Sequence, residues 1–329
     1  VENLSKENEV VNPDNLNTIK KGIGYLCHNF RPSDCNKWVV ALDRNFDPNR
    51  KKSNGGNGKS ILFEALKSVM FTADVDGTEF VKNRSDKFAF AKVNASTELV
   101  FIDDANKDFD WKRLYSRTTG SFMVRKATKD PFYIPKSEAP KICVSSNFPI
   151  PDDDPSTLRR TYLIEVSDFY WNELSQNNLT PKDIHGGKWI ADKGEGEGFW
   201  DNDDWNAFYR YIWECIALYL KEGLPVQIEV SPNQVRSRLL CLMANIDEKD
   251  ELLDFFVEKL NDYAKSDKDI FSELFYRQLR KQFQYLPNRV TNSKLMEWFK
   301  QVGQSYGLII NEDTNSNLRQ ARLLNSKGQ

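Results

Sequence analysis

The feature that most constrains this chain is Gly55-Gly56-Asn57-Gly58-Lys59-Ser60. It lies between the apolar run Trp38-Val39-Val40-Ala41-Leu42 and a stretch from Lys59 to Met70 with Ile61, Leu62, Ala65, Leu66, Val69 and Met70 at helical spacing. A short apolar run, a glycine-laced bend and an amphipathic helix, in that order, describe one strand–loop–helix unit of an α/β fold. Glycine reaches backbone angles that other residues avoid, so successive N–H groups can turn inward around an anion. The helix that starts at Lys59 aims its positive end at the same point. Lys59 is then placed to reach the outer phosphates of a nucleoside triphosphate, and the Ser60 hydroxyl to hold Mg²⁺. The competing reading is a Gly/Asn-rich surface turn that happens to end in Lys-Ser. Ser53 stands where such loops carry their first glycine, and the loop from Asp43 is long; both bear on how the chain enters the bend.

Glu98-Leu99-Val100-Phe101-Ile102-Asp103-Asp104 is an apolar strand that delivers two carboxylates at its C-terminal end. Parallel α/β sheets bind ligands off those ends, so both acids are expected to face the nucleotide, Asp103 anchoring Mg²⁺ and Asp104 polarising the attacking water. Without the bend upstream, the pair reads as two acids capping a strand. A third apolar strand, Ile142-Cys143-Val144, runs into Ser145-Ser146-Asn147, where the Asn147 amide is suited to sit between water and γ-phosphate; a lone Asn there is otherwise a turn residue. Tyr162–Val166 reads as a fourth strand.

The series Gly-Gly-Asn-Gly-Lys-Ser, Phe-Ile-Asp-Asp-Ala, Thr-Thr-Gly-Ser with a basic segment, Val-Ser-Ser-Asn-Phe-Pro and Leu-Arg-Arg resembles superfamily 3 helicases, especially the primase–helicase proteins of phages, plasmids and large DNA viruses. The likeness spans about residues 37–170, half of the chain. It implies an AAA+-related P-loop core, ATP with Mg²⁺, and a homo-oligomeric ring, usually of six. It further implies 3′-to-5′ movement on single-stranded DNA and often a primase upstream. In such rings the arginine after the Asn strand acts on the neighbour's nucleotide; here that is Arg159 or Arg160. Asp104 departs from the many relatives that carry Glu. Independently of the family, a guanidinium stabilises the charge of a transferring phosphoryl group, by roughly 10³–10⁵ in rate in comparable enzymes.

Between the two site strands, Trp111–Lys141 holds eight Lys/Arg, including Lys141, against Asp130 and Glu138. That local excess of +6 sits in a chain whose formal net charge is -2. Phe122–Val124 and Phe132–Ile134 flank Ala127–Pro131 in a hairpin pattern, and Arg125, Lys126 and Lys129 near its tip are the expected contacts to DNA phosphates, gripping without reading sequence. A solvated charged face is the plain alternative.

The remaining sequence bounds the problem. Five scattered cysteines form no Cys-x-x-Cys pair, and two histidines cannot supply a metal triad, so reduced, buried thiols are expected and zinc hydrolysis is not. No run of eighteen apolar residues exists, and Val1–Asn8 carries no signal pattern, which points to the cytoplasm of a bacterium or host. The start at Val1 is expected of a piece of a larger polypeptide. Four segments are expected: a polar leader with a helix around Leu16–Phe30 (1–36), the ATPase core (37–170), a helical extension (171–246) and a winged helix (247–329), in which basic residues such as Arg277, Arg280 and Lys281 interleave with aromatics. Helices are expected over Trp205–Lys221, Pro232–Asn245, Glu248–Ala264, Phe271–Phe283 and Asn292–Tyr306, with a strand at Leu308-Ile309-Ile310. Trp171, Trp200, Trp205 and Trp213 read as core. Two other functions share the phosphate site: a packaging or protein-remodelling AAA+ motor, and a non-catalytic origin-binding module.

Overall fold

The computed structural model describes residues 1–7, 9–31, 34–45, 56–80, 87–150, 155–190, 192, 194, 196, 198–225, 232–243, 246, 249–264, 273–284, 286–287, 290–306, 308–313 and 320–325. The chain divides at 228/229 into two compact units.

The N-terminal unit opens with a 3₁₀ turn at Glu2–Ser5, the two-residue strands β1 (Lys6–Glu7) and β2 (Val10–Val11), and helix α1 (Pro13–Leu26). Asn12 starts α1 by accepting from the Asp14 and Asn15 amides, with Pro13 fixing the first turn. There follow β3 (Trp38–Asp43), α2 (Lys59–Glu64), β4 (Thr72–Asp76), β5 (Leu99–Ala105), α3 (Tyr115–Thr119), the hairpin β6 (Phe122–Val124) and β7 (Phe132–Ile134), β8 (Lys141–Ser146), α4 (Pro155–Arg160), β9 (Thr161–Val166), α5 (Phe169–Gln176), α6 (Pro181–Ile184) and α7 (Asn202–Glu222). The last of these is set by an Asp201–Asp204 capping box and ends at Gly223.

Five strands form one parallel sheet in the order β4-β5-β8-β3-β9. Each central strand divides its side chains between two cores, as a period of two dictates. Val39, Ala41, Leu99, Phe101 and Cys143 face one cluster with Ile19 and Ile23 of α1, Phe63 of α2 and Cys215 of α7. Trp38, Val40, Leu42, Val100, Ile102, Ile142 and Val144 face another, with Phe80, Phe109, Trp111 and Phe122. Burial on both faces is why these strands read as unbroken apolar runs.

The structure adjusts several boundaries. The expected helix over Lys59–Met70 is α-helical only to Glu64 and tightens to 3₁₀ over Ala65–Ser68. α1 spans Pro13–Leu26 rather than Leu16–Phe30, and β4 is an additional strand. Residues 1–36 are no separate leader: Leu4 is buried in the sheet core, and Ser167 bonds back to Asn3 and Leu4. Trp213 is 71% exposed on α7 rather than core.

The C-terminal unit holds α8 (Pro232–Leu242), α9 (Lys249–Ala264), α10 (Glu273–Gln282), α11 (Asn292–Ser305) and an antiparallel hairpin, β10 (Leu308–Asp313) with β11 (Gln320–Asn325). Its own core includes Leu239, Leu252, Phe256, Leu279 and Phe299. Because Val235, Leu239 and Leu240 of α8 belong to that core, the boundary falls before α8 and not between residues 246 and 247. No described helix is long and apolar enough to cross a membrane.

Candidate functional site

In a parallel sheet every strand ends on the same edge. Asp43, Asp76, Asp103, Asp104 and Asn147 therefore gather beyond β3, β4, β5 and β8, with Asp168 just past β9. The strand order runs from β3 out to the far edge, returns, and finishes on the other side of β3, so this edge is also where the topology reverses, the usual location of a ligand crevice.

The bend before α2 has the backbone that its glycines allow: Gly56 and Gly58 have φ of 103° and 91°, both left-handed. A Cβ at Gly58 would also press on Leu4 Cδ2 at 3.0 Å. Gly55 lies outside the described residues. The two groups that open α2 then diverge. Ser60 Oγ donates to Asp103 Oδ1 at 2.7 Å, whereas Lys59 is 6% exposed and its Nζ lies 2.5 Å from Asp43 Oδ1.

At the end of β5 the ladder with β8 slips between Ile102 and Ala105, and Asp104 takes a left-handed φ of 55°. That break turns successive carboxylates in different directions. Asp103 also accepts from Ser145 Oγ, and the same hydroxyl receives the Asp104 amide at 3.1 Å. Asp104 is exposed, with Asn147 Nδ2 3.2 Å from its Oδ1. Gly77 makes the turn possible, because a Cβ there would meet Asp103 O at 2.5 Å and Ala105 N at 2.6 Å. The structure thus brings Lys59, Ser60, Asp103, Asp104 and Asn147 to one edge.

Four participants on that edge had no assigned role in the sequence reading. Asp43, Asn45, Ser145 and Asp168 form hydrogen bonds with or beside the expected residues: Asn57 Nδ2 donates to Asp43 Oδ1 at 2.8 Å and lies 3.2 Å from Asp168 Oδ1, and Asn45 Nδ2 donates to Asp168 Oδ2 at 2.8 Å. Burial holds the Asp43 carboxyl above its ordinary range, with Lys59 the main opposing influence. The signal was available: Asp43 and Asp168 follow apolar strands just as Asp103 does.

Arg159 and Arg160 lie elsewhere. They end α4, immediately before β9, on the opposite edge of the sheet. Arg160 is committed locally, its guanidinium 4.7 Å from the Tyr115 ring centre and bonded to Ser156 O at 3.0 Å. The Arg159 residue is exposed, and its backbone carbonyl accepts from Lys37 Nζ at 2.8 Å.

The basic hairpin pairs Phe122 with Ile134 and Val124 with Phe132, burying Phe122, Val124 and Ile134 at its base. Arg125 and Lys129 are exposed, and Lys126 Nζ leans to 5.7 Å from the Phe132 ring. Arg117 packs on Phe90 and Phe122; burial lowers its proton affinity, and Arg113 and Arg125 lower it further, so positive charge is crowded here. Lys141 is a correction. It is 2% exposed and donates to Tyr25 O and His28 O, so it adds nothing to the basic surface.

Among the described residues no group of three or more His, Cys, Asp or Glu is placed to hold a metal ion. A Mg²⁺ carried on phosphates needs only one or two protein oxygens, which Ser60 and Asp103 offer. Described cysteines are all free, with Cys27, Cys143 and Cys215 buried.

No family model and no curated protein matches the sequence. Among solved structures, the A form apo structure of the NrS-1 C-terminal region is similar at 12% identity and a TM-score of 0.41, covering 95% of this chain and 72% of that one. A second structure of that region, residues 305–718, gives 13% identity, a TM-score of 0.37, and coverage of 95% and 75%.

Proposed function

We propose that this chain is an ATP-hydrolysing motor of the superfamily 3 helicase type, acting as a ring on single-stranded DNA, with the strand-end edge as its hydrolytic site. One observation carries the reading: Ser60, at the first turn of α2, and Asp103, at the end of β5, meet at 2.7 Å beside a doubly left-handed glycine bend. A hydroxyl and a carboxylate at that spacing, both hard oxygen donors, suit a Mg²⁺ that arrives with a nucleotide.

In this reading the backbone N–H groups of the bend take the phosphates, Lys59 reaches the outer two, and Ser60 with Asp103 holds the metal. Bound Mg²⁺ would neutralise charge on the phosphate oxygens. Asp104, projecting into solvent from its left-handed turn, orients and polarises the attacking water, and Asn147 steadies Asp104 through their hydrogen bond. Arg159 is the arginine offered to a neighbouring subunit, since Arg160 is already stacked on Tyr115. Arg125, Lys126 and Lys129 grip DNA phosphates from the hairpin. The C-terminal helices with their terminal hairpin have the element order of a winged helix.

The test is ATP turnover with Mg²⁺, with and without single-stranded DNA, alongside strand displacement on a fork. Expected are stimulation by DNA, displacement with one polarity, and loss of both activities in Lys59→Ala. Wild-type protein that binds but never turns over ATP overturns the enzyme reading. Turnover without displacement points instead to a motor acting on protein or on packaged duplex.

A further inference from the structure

Asp43 ends β3 on the same edge as Asp103, yet its carboxylate is turned into the protein. Oδ1 accepts from Lys59 Nζ at 2.5 Å and from Asn57 Nδ2 at 2.8 Å, and the Asp43 and Lys59 side chains are 3% and 6% exposed. Asn57, fully buried in the bend, ties this pair to Asp168, which is itself held by Asn45. The ammonium assigned to the outer phosphates is therefore engaged by an anion of its own chain, where little water screens the attraction. A phosphate and the Asp43 carboxylate compete for one cation.

We propose that Asp43 is a positioning residue, the resting partner of Lys59, and that nucleotide loading exchanges this carboxylate for phosphate. The inference rests on the function proposed above and adds the regulation of that site. Two consequences follow from the geometry. The Lys59 side chain is ordered before ligand arrives, so its immobilisation does not count against binding. Against that gain, an ion pair must be broken for Lys59 to reach phosphate, so affinity is held below what the bend alone would give. Asn57 stays bonded to Asp43 after the exchange and keeps the emptied carboxylate hydrogen-bonded.

The sign of one substitution separates this role from a structural one. Asp43→Asn keeps the shape and a hydrogen-bond acceptor while removing the competing charge. The expected result for the full chain, measured by calorimetry, is an ATP Kd about tenfold tighter than wild type, the scale of one charge-assisted hydrogen bond. In a Lys59→Met background the same substitution should leave ATP affinity unchanged, because the residue it competes for is gone. Weaker ATP binding in Asp43→Asn, or the same change with and without Lys59, overturns the exchange while leaving the nucleotide site standing. Wild-type protein that binds no ATP removes the proposed function and the exchange together. If Asp43→Asn does not fold, crystals of wild type grown without and with ADP decide: Lys59 Nζ is expected on Asp43 in the first and on phosphate in the second. Nζ on Asp43 in both overturns the proposal.

Discussion

At the scale of single residues, the sheet separates two kinds of lysine. Lys59 keeps a carboxylate beside it, whereas Lys141 at the start of β8 is buried against carbonyls, with Arg31 as a charged neighbour. Burial first, and Arg31 second, lower the Lys141 ammonium to about 7. An unfolded lysine titrates near its ordinary value, so between about pH 7 and pH 10 the unfolded chain binds the extra proton. Lys141 therefore adds stability as pH rises through that window, and this contribution is lost as pH falls from 10 towards 7. His28, lowered to about 4, does not titrate in that window. The Cys27 thiol, pushed up to about 12 in the fold, opposes the trend above about pH 9, where the unfolded thiol ionises, so the slope is read as the difference between wild type and a Lys141 variant. Lys141→Met should remove up to about 1.4 kcal/mol per pH unit of that slope. Denaturant unfolding of both proteins at pH 7, 8, 9 and 10 measures it; parallel stability curves would show that Lys141 is protonated in the fold.

At the scale of elements, the hairpin carries the electrostatic argument for DNA. Its base is anchored by Phe122, Val124 and Ile134, so changes in the loop between β6 and β7 need not disturb the core. Lys126 and Lys129 both belong to that loop, and on single strands each lost phosphate contact lowers the salt slope of binding by about 0.7. The Lys126→Ala, Lys129→Ala pair should then reduce the slope of log K against log salt by about 1.4 and abolish strand displacement. An unchanged slope in a fluorescence titration would place the DNA contact on another element. Legibility in the sequence followed burial at this same scale. β3, β5, β8 and β9 are covered on both faces or nearly so and appear as apolar runs. β4 was missed because it is an edge strand whose Asp74 and Asp76 point to solvent, which left Thr72–Asp76 looking like a loop. The gathering of residues on one sheet edge was legible where a motif supplied an expectation, at Lys59, Ser60, Asp103 and Asn147. Asp43 was passed over because the residue that ends one strand also begins a long polar loop, and only the fold shows which of those neighbours it serves. Lys141 failed in the opposite direction: a charge count cannot see that one of eight cations is folded inside.

At the scale of the whole molecule, the two ends of β9 carry residues that one chain cannot bring together. Near its C-terminal end Asp168 bonds to Asn57 in the glycine bend, while at its N-terminal end stand Arg159 and Arg160. Six extended residues span about 20 Å, so no rotamer carries either guanidinium to the glycine bend of the same chain. If Arg159 assists hydrolysis, it does so on another copy, and a head-to-tail ring is the closed arrangement that gives every site such a neighbour. Complementation between two inactive variants follows from this. Lys59→Ala subunits retain Arg159 but have a crippled bend; Arg159→Ala subunits have the reverse defect. Mixed at equal ratio and assembled at random, about a quarter of head-to-tail interfaces combine an intact bend with an intact arginine. ATPase activity should therefore reappear on mixing, peaking near the equal ratio, although neither variant is active alone. The same experiment with Arg160→Ala distinguishes the pair, because loss of the Tyr115 stacking partner weakens the subunit itself and should show as a lower melting temperature. Silence at every mixing ratio for Arg159 would mean that hydrolysis is completed within one chain, and the exposed arginine at the far edge would then need a different partner.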